Sequence, residues 1–348
     1  MRRRHLLAGL GAALAAPAAI GAARAQQGLP VLDSLDDLAR RLARHPAVPA
    51  AAVARLRRGE AGTFAVAGDR VVRTGPPVQR DDAWHLGSLT KAMTATLAAR
   101  LVEAGAIGWD AVLTDHLALV PERWADVTLE NLLTHTSGLP RNLPGPLTRR
   151  VRNRAHYARA ALHLSVVSGK RGEFRYSNSG YTLAGAMLED ATGETWEALM
   201  RREVFAPLGM DGMGDGPPPA IHGHRRGPRA VAPGPGADNP QVIGPAGRLH
   251  APPGAVLRFL RAHLDWDQDY LSADSWERLQ LAQPGAYAMG WAIDGEGRLT
   301  HSGSNTLWWA MMEVDHAAGQ AFFVAVNSGD ATAVRKPVLQ TVESLRTI

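Results

Sequence analysis

Small and β-branched residues fill positions 48 to 72, "VPAAAVARLRRGEAGTFAVAGDRVV", in two arms broken at Arg58-Gly59-Glu60. That pattern predicts two strands joined by a turn. Apolar residues then recur at helical spacing through "SLTKAMTATLAARLVEAGAIG" (88 to 108), with Gly105 near the end, and predict a helix. Thr128 suits the N-cap of another helix in "TLENLLTHTSGLP", which Gly138-Leu139-Pro140 stops. "TLAGAMLEDATG" and "TWEALMRREVFAPLG" read as two helices separated by Gly193, and "AVLRFLRAHLDW" as one more. The pattern then returns to strands, "YAMGWAID", "GRLTHSGS", "LWWAMMEVD" and "QAFFVAVNSG", before a last helix from about Ala331. Residues 212 to 254 follow neither period and are dominated by Gly and Pro, which predicts a loop laid over the surface. Strands at both ends with helices between them predict an α/β (α+β) fold. In it one sheet is closed by the two ends of the chain and flanked by helices, and a helical part is inserted.

The first 25 residues stand outside this pattern. "MRRRHLLAGLGAALAAPAAIGAARAQQ" has a basic start, an apolar run and a small-residue ending at Ala23-Arg24-Ala25, which predicts a cleaved signal peptide. Its paired arginines suit a twin-arginine export signal, with a Sec signal as the alternative. As a membrane anchor the run is short, and Pro17 breaks it. The leader holds four arginines and no acid, so the remaining chain carries 34 basic against 33 acidic residues. That balance gives no reason to expect a nucleic-acid partner, and "RRVRNRAHYAR" (149 to 159) reads as a solvated helix face. Cysteine is absent, so an exported, periplasmic or secreted protein of this sequence relies on its core. No second apolar run approaches 18 residues, so no stable membrane span is expected after cleavage.

Candidate chemistry begins with an imbalance. The chain has only three lysines, Lys91, Lys170 and Lys336, against 35 arginines. Arginine cannot lose its proton in a protein, whereas a buried lysine can become a neutral amine and act as a base. Ser88 and Lys91 stand at i and i+3, so on a helix they share one face near its N-terminus. The alternative is an exposed serine beside a solvated lysine. Tyr176 and Asn178 lie two apart in "RYSNSGYTLAG", and "THSGSN" places His301-Ser302-Gly303 after the turn Gly295-Glu296-Gly297.

Ser-x-x-Lys, Tyr-x-Asn and His-x-Gly, in this order, resemble the three motifs of a known family. It comprises class C serine β-lactamases, D-alanyl-D-alanine carboxypeptidases and related penicillin-binding esterases. "LLTHTSGLP", "VFAPLGM", "GPAGRLHAPPGAVLRFL" and "YAMGW" extend the resemblance over roughly residues 45 to 330. It implies a β-lactamase/transpeptidase-like domain over residues 26–348. The α/β part would cover about 45–90 and 285–348, and the helical part about 91–284. By the same resemblance Ser88 would be the nucleophile, Lys91 the base acting directly or through Tyr176, and Tyr176 the proton relay to the leaving group. Asn178 would orient the substrate amide, His301 and Gly303 would line the substrate site, and the backbone N–H groups of Ser88 and Ser304 would hold the oxyanion. No cofactor or metal is implied, and the partner is a small-molecule or short-peptide substrate. A non-catalytic penicillin- or peptide-binding module of the same fold is the reading from another class.

The third motif departs from the Lys usual in efficient β-lactamases. A His is mostly neutral near pH 7 and would attract a substrate carboxylate less, which favours an ester or amide substrate over a β-lactam. Other chemistries lack their signatures: there is no Gly-x-Ser-x-Gly, no His-Glu-x-x-His, no P-loop and no Gly-x-Gly-x-x-Gly behind a strand. His222 and His224 read as solvated rather than as zinc ligands, and His135 as structural. Of Trp308 and Trp309, alternation puts one toward the cleft and the other in the core.

Overall fold

A computed structural model describes residues 34–163 and 169–348; the leader read at residues 1–25 lies outside them. Six strands form the main sheet: β1 (Ala50–Arg57), β2 (Thr63–Gly68), β3 (Ala292–Ile293), β4 (Leu299–Ser304), β5 (Trp309–Asp315) and β6 (Gln320–Val326). They lie in the order β2-β1-β6-β5-β4-β3, every pair antiparallel. The first and sixth strands are thus neighbours, with Ala51 opposite Val326.

Alternation distributes their side chains to two buried faces. Ala51, Val53, Phe322, Val324 and Val326 pack against α1 (Leu35–Ala43) and the C-terminal helix α6 (Ala331–Thr347). Ala52, Ala54, Phe323 and Ala325 face the larger core, which holds α2 (Thr90–Glu103) and α5 (Pro253–Asp265). The helix α2 is enclosed on every side: all residues from 90 to 99 are buried. A helix surrounded by protein needs small or apolar residues all round, and any polar side chain in it must find an internal partner.

Several elements correct the sequence reading. The helix α1 was not foreseen; Ser34 caps it by accepting from the Asp37 N–H. "YAMGWAID" contributes only the two residues of β3. The helix capped by Thr128 is short, α3 (Leu129–Leu133), and the helix expected from Thr182 begins four residues earlier as α4 (Asn178–Thr192), because Ser177 accepts from the Gly180 N–H as its N-cap. It ends at Gly193, φ +72. The run at 149–159 is not simply a solvated face. Arg154 is buried against Glu189 and Glu197, and Tyr157 is 1% exposed. The Gly/Pro segment 212–254 is not laid over the surface throughout: Gly244–Gly247 is fully buried, and Leu249–Ala251 pairs with Trp84–His85. Lacking side chains, its glycines let backbone approach backbone. A β-carbon on Gly247 would lie 3.3 Å from the Gly87 carbonyl.

Candidate active site

Ser88 sits in a short 3-10 turn, Gly87–Leu89, that leads directly into α2. Gly87 has φ +52, and a β-carbon there would fall 2.4 Å from the Ser304 nitrogen. At Gly303 a β-carbon would fall 2.0 Å from the Leu86 carbonyl oxygen and 2.7 Å from the Ser88 nitrogen. Only glycine at both positions lets the turn press backbone to backbone against the end of β4. The contact opens onto a cleft of about 570 Å³ lined by Ser88, Tyr176, His301, Gly303 and Ser304 among others.

Lys91 lies one turn into the helical segment, so its side chain reaches back over Ser88. Its Nζ stands 3.1 Å from Ser88 Oγ and donates to the Ala246 carbonyl at 2.5 Å. The residue is entirely buried, and no carboxylate pairs with it among the described residues. Burial, reinforced by the nearby Arg141 guanidinium, holds this amine well below the usual lysine range.

Tyr176 completes the group. Burial pushes its hydroxyl up to about 12, against the opposing influence of Ser88 and the Arg141 charge. The phenol therefore stays protonated at neutral pH. The ring stands 4.8 Å from Lys91 Nζ and 4.4 Å, centroid to centroid, from His135. His135 is a buried support: its Nδ1 accepts from the Ser177 N–H at 3.1 Å, beside Tyr176, and its own φ is +62. Asn178 stands apart from the rest, outside the cleft lining. It opens α4, and its Nδ2 donates to Asn142 Oδ1 at 2.8 Å.

His301 lines the cleft with both ring nitrogens already engaged. Nδ1 is 2.8 Å from the Ser302 carbonyl, which can only accept, so Nδ1 carries the proton. Nε2 then accepts from the Tyr287 hydroxyl at 3.2 Å. Burial pushes His301 down to about 3, so it is neutral at physiological pH. Trp309 lines the cleft, whereas Trp308 is buried and stacks on His85 at 5.4 Å.

Other cleft-lining residues were not singled out by the sequence. Arg141 and, from α6, Arg335 line the cleft, with Met311 and Leu339 forming apolar wall. Neither arginine forms an ion pair among the described residues, and no Asp or Glu lines the cleft. Arg141 follows the recognisable "SGLP", but nothing in composition marks an arginine in a loop as facing a site. His224, expected in solvent, is buried: its Nδ1 lies 2.8 Å from the Asn327 carbonyl and its Nε2 accepts from the Val72 N–H. Folding the glycine-rich segment inward takes His224 with it. Among the described residues no group of three or more His, Cys, Asp or Glu is placed to hold a metal ion, and no helix is long and apolar enough to cross a membrane.

Comparison with known proteins adds to this geometry. The family model described as Beta-lactamase matches residues 35–341. Over 292 residues the chain is 27% identical to penicillin-binding protein 4 of Amycolatopsis lactamdurans, covering 75% of this chain and 76% of that one. It is 28% identical over 215 residues to the D-alanyl-D-alanine-carboxypeptidase/endopeptidase AmpH of Escherichia coli K12, covering 59% of this chain and 53% of AmpH. In fold it is similar to a β-lactamase/D-alanine carboxypeptidase from Pseudomonas syringae, with a TM-score of 0.75 at 16% identity over 89% of this chain and 97% of that one.

Proposed function

The chain belongs to the beta-lactamase family, and from that premise we propose that it is an exported serine hydrolase working through an acyl-enzyme on Ser88. The observation that carries this reading is the buried, unpaired Lys91 amine 3.1 Å from Ser88 Oγ. As a neutral amine Lys91 takes the Oγ proton while Oγ bonds to the substrate carbonyl carbon. The carbonyl oxygen gains the negative charge, which the N–H groups of Ser88 and Ser304 receive. Collapse breaks the bond to the leaving group, and Tyr176 passes it the proton held on Lys91. Water then attacks the acyl-enzyme, giving its proton to the same pair, and Ser88 is regenerated.

The acyl donor is an ester, a D-amino-acid peptide or a β-lactam. The names of the relatives, a penicillin-binding protein and a D-alanyl-D-alanine carboxypeptidase, support the peptide and β-lactam classes. The neutral His301 offers a substrate carboxylate no permanent charge, but Arg141 and Arg335 in an acid-free lining do. An anionic acyl donor therefore has a partner in this cleft that the third motif does not supply. Export rests on residues 1–25, and N-terminal sequencing of the mature protein tests it.

The test is labelling with a fluorophosphonate followed by peptide mass spectrometry, together with a hydrolysis panel of aryl esters, nitrocefin and D-Ala-D-Ala peptides. The expected result is one adduct on Ser88 and turnover of at least one class. An unlabelled Ser88 in folded protein would instead fit a binding module.

A further inference from the structure

One buried carboxylate ties together the two backbone segments that meet at the cleft. His85 Nδ1 accepts the Gly87 N–H at 3.0 Å, so the side chain of His85 captures the turn that carries Ser88. That bond requires the ring proton on Nε2, which faces Asp238 Oδ1 at 2.8 Å. The same oxygen accepts from Asn305 Nδ2 at 3.1 Å, and Asn305 directly follows Ser304. Asn305 Oδ1 in turn accepts the N–H groups of Leu307 and Trp308, and Trp308 stacks on the His85 ring. The side chains of His85 and Asp238 are 0% and 1% exposed. Asp238 belongs to the glycine-rich segment 212–254, and it also accepts the N–H of Asn239 at 2.6 Å.

We propose that His85, Asp238 and Asn305 are positioning residues that fix the Gly87–Ser88 turn and the Ser304 backbone at the separation an oxyanion needs. None of the three touches the reacting atoms. The proposal rests on the reading of the Ser88 and Ser304 N–H groups as the oxyanion hole. A buried carboxylate with a single strong acceptor role for both segments costs desolvation, and a purely structural contact could be met by apolar packing at less cost. What the polar tether supplies is direction: a hydrogen bond fixes angle as well as distance, and oxyanion donors lose their effect when misaimed. The tether leaves one oxygen, Asp238 Oδ2, buried without a partner among the described residues.

The test compares Asp238→Ala, Asp238→Asn and Asn305→Ala in the whole mature enzyme. For each, the rate of acylation by an aryl ester, KM, and the stretching frequency of the trapped acyl carbonyl by infrared difference spectroscopy are measured. Asp238→Ala should acylate about 10²–10³ times more slowly, the loss typical of one misplaced oxyanion donor. KM should stay within about threefold, and the carbonyl should move to higher frequency as its hydrogen bonds weaken. Asp238→Asn keeps an oxygen that can accept from both His85 and Asn305, and should recover most of the rate. If Asp238→Ala does not fold, Asn305→Ala, which cuts only the Ser304 arm, must show the same carbonyl shift. An unchanged carbonyl frequency in the folded variants, or a loss confined to KM, overturns the proposal. Retained turnover in Ser88→Ala would instead remove the active-site reading on which it rests, so the two failures are distinguishable.

Discussion

Ser88 Oγ and Lys91 Nζ face each other across 3.1 Å, with the amine sealed from solvent and its other bond made to the Ala246 carbonyl. A permanent cation in that position would lack both water and a counter-ion, an arrangement costing several kcal/mol. The pair is therefore poised as hydroxyl and amine rather than as alkoxide precursor and spectator charge.

Replacing Ser88 by Ala removes one small polar atom from a closed turn, so thermal stability should change little while turnover falls by about 10⁶. Residual activity above about a tenth of wild type on the best substrate would show that the nucleophile lies elsewhere.

Lys91→Arg should be nearly as inactive as Lys91→Ala. The guanidinium keeps its proton and its planar fork does not fit a fully enclosed site. Fluorophosphonate labelling rates of the two variants provide the comparison, and near-normal labelling of Lys91→Arg would mean that charge alone matters there.

Arg141→Gln removes a cation that helps hold Lys91 down. Lys91 must be neutral to act, so kcat/KM rises with pH through its titration. Losing the nearby positive charge raises that pKa and moves the acidic limb of the profile to higher pH, a shift kept small because the exposed arginine is screened by solvent. A pH profile with a neutral ester isolates this effect from substrate charge.

Gly303→Ala places a methyl group where the Leu86 carbonyl already stands. The turn must retreat from β4, so acylation should drop by at least about 10² and the melting temperature should fall by several degrees. A wild-type acylation rate in this variant would mean that the backbone contact does not shape the site.

Acid sensitivity follows from buried histidines. Burial pushes His263 and His301 down to about 3 in the fold, against about 6.5 in an unfolded chain. As pH falls below 6.5 the unfolded chain binds protons that the fold refuses. Stability therefore declines between pH 6.5 and 3, each histidine adding up to about 1.4 kcal/mol per pH unit. Urea midpoints across this range should show the slope. His263→Gln, which cannot titrate, should reduce it by about one proton.

The approach of Lys91 to Ser88 was legible because the two residues are local in sequence and one is of a rare type. Ser88 and Lys91 share one helical turn, and a lysine is conspicuous in a chain with three of them against 35 arginines. The strands β1, β2, β5 and β6 were legible from alternation and small or branched residues. Contacts made by distant loops were not. Asp238 in a Gly/Pro run, Arg141 after "SGLP" and the Ala246 carbonyl acquire their meaning only when three segments far apart in sequence meet, and no local period records that meeting. The carboxylate-avoiding expectation drawn from His301 failed to include Arg141 and Arg335 for the same reason. Substitution of His301 by Lys would break the Tyr287 bond and bury a second amine near the first.

The adjacency of β1 and β6 has a kinetic consequence. The Ala50 N–H donates to Asn327 Oδ1, 277 positions further along, so β1 meets its second sheet neighbour only across most of the sequence described here. Until then β1 and β2 amount to a lone hairpin, marginal in water, with an alanine- and valine-rich edge open to wrong partners. Sheet closure must meet the entropy of a very long loop, which the local β1–β2 and β5–β6 hairpins do not. Refolding from urea should accordingly be slow and concentration-sensitive, with the β1–β6 amides the last to gain protection from hydrogen exchange.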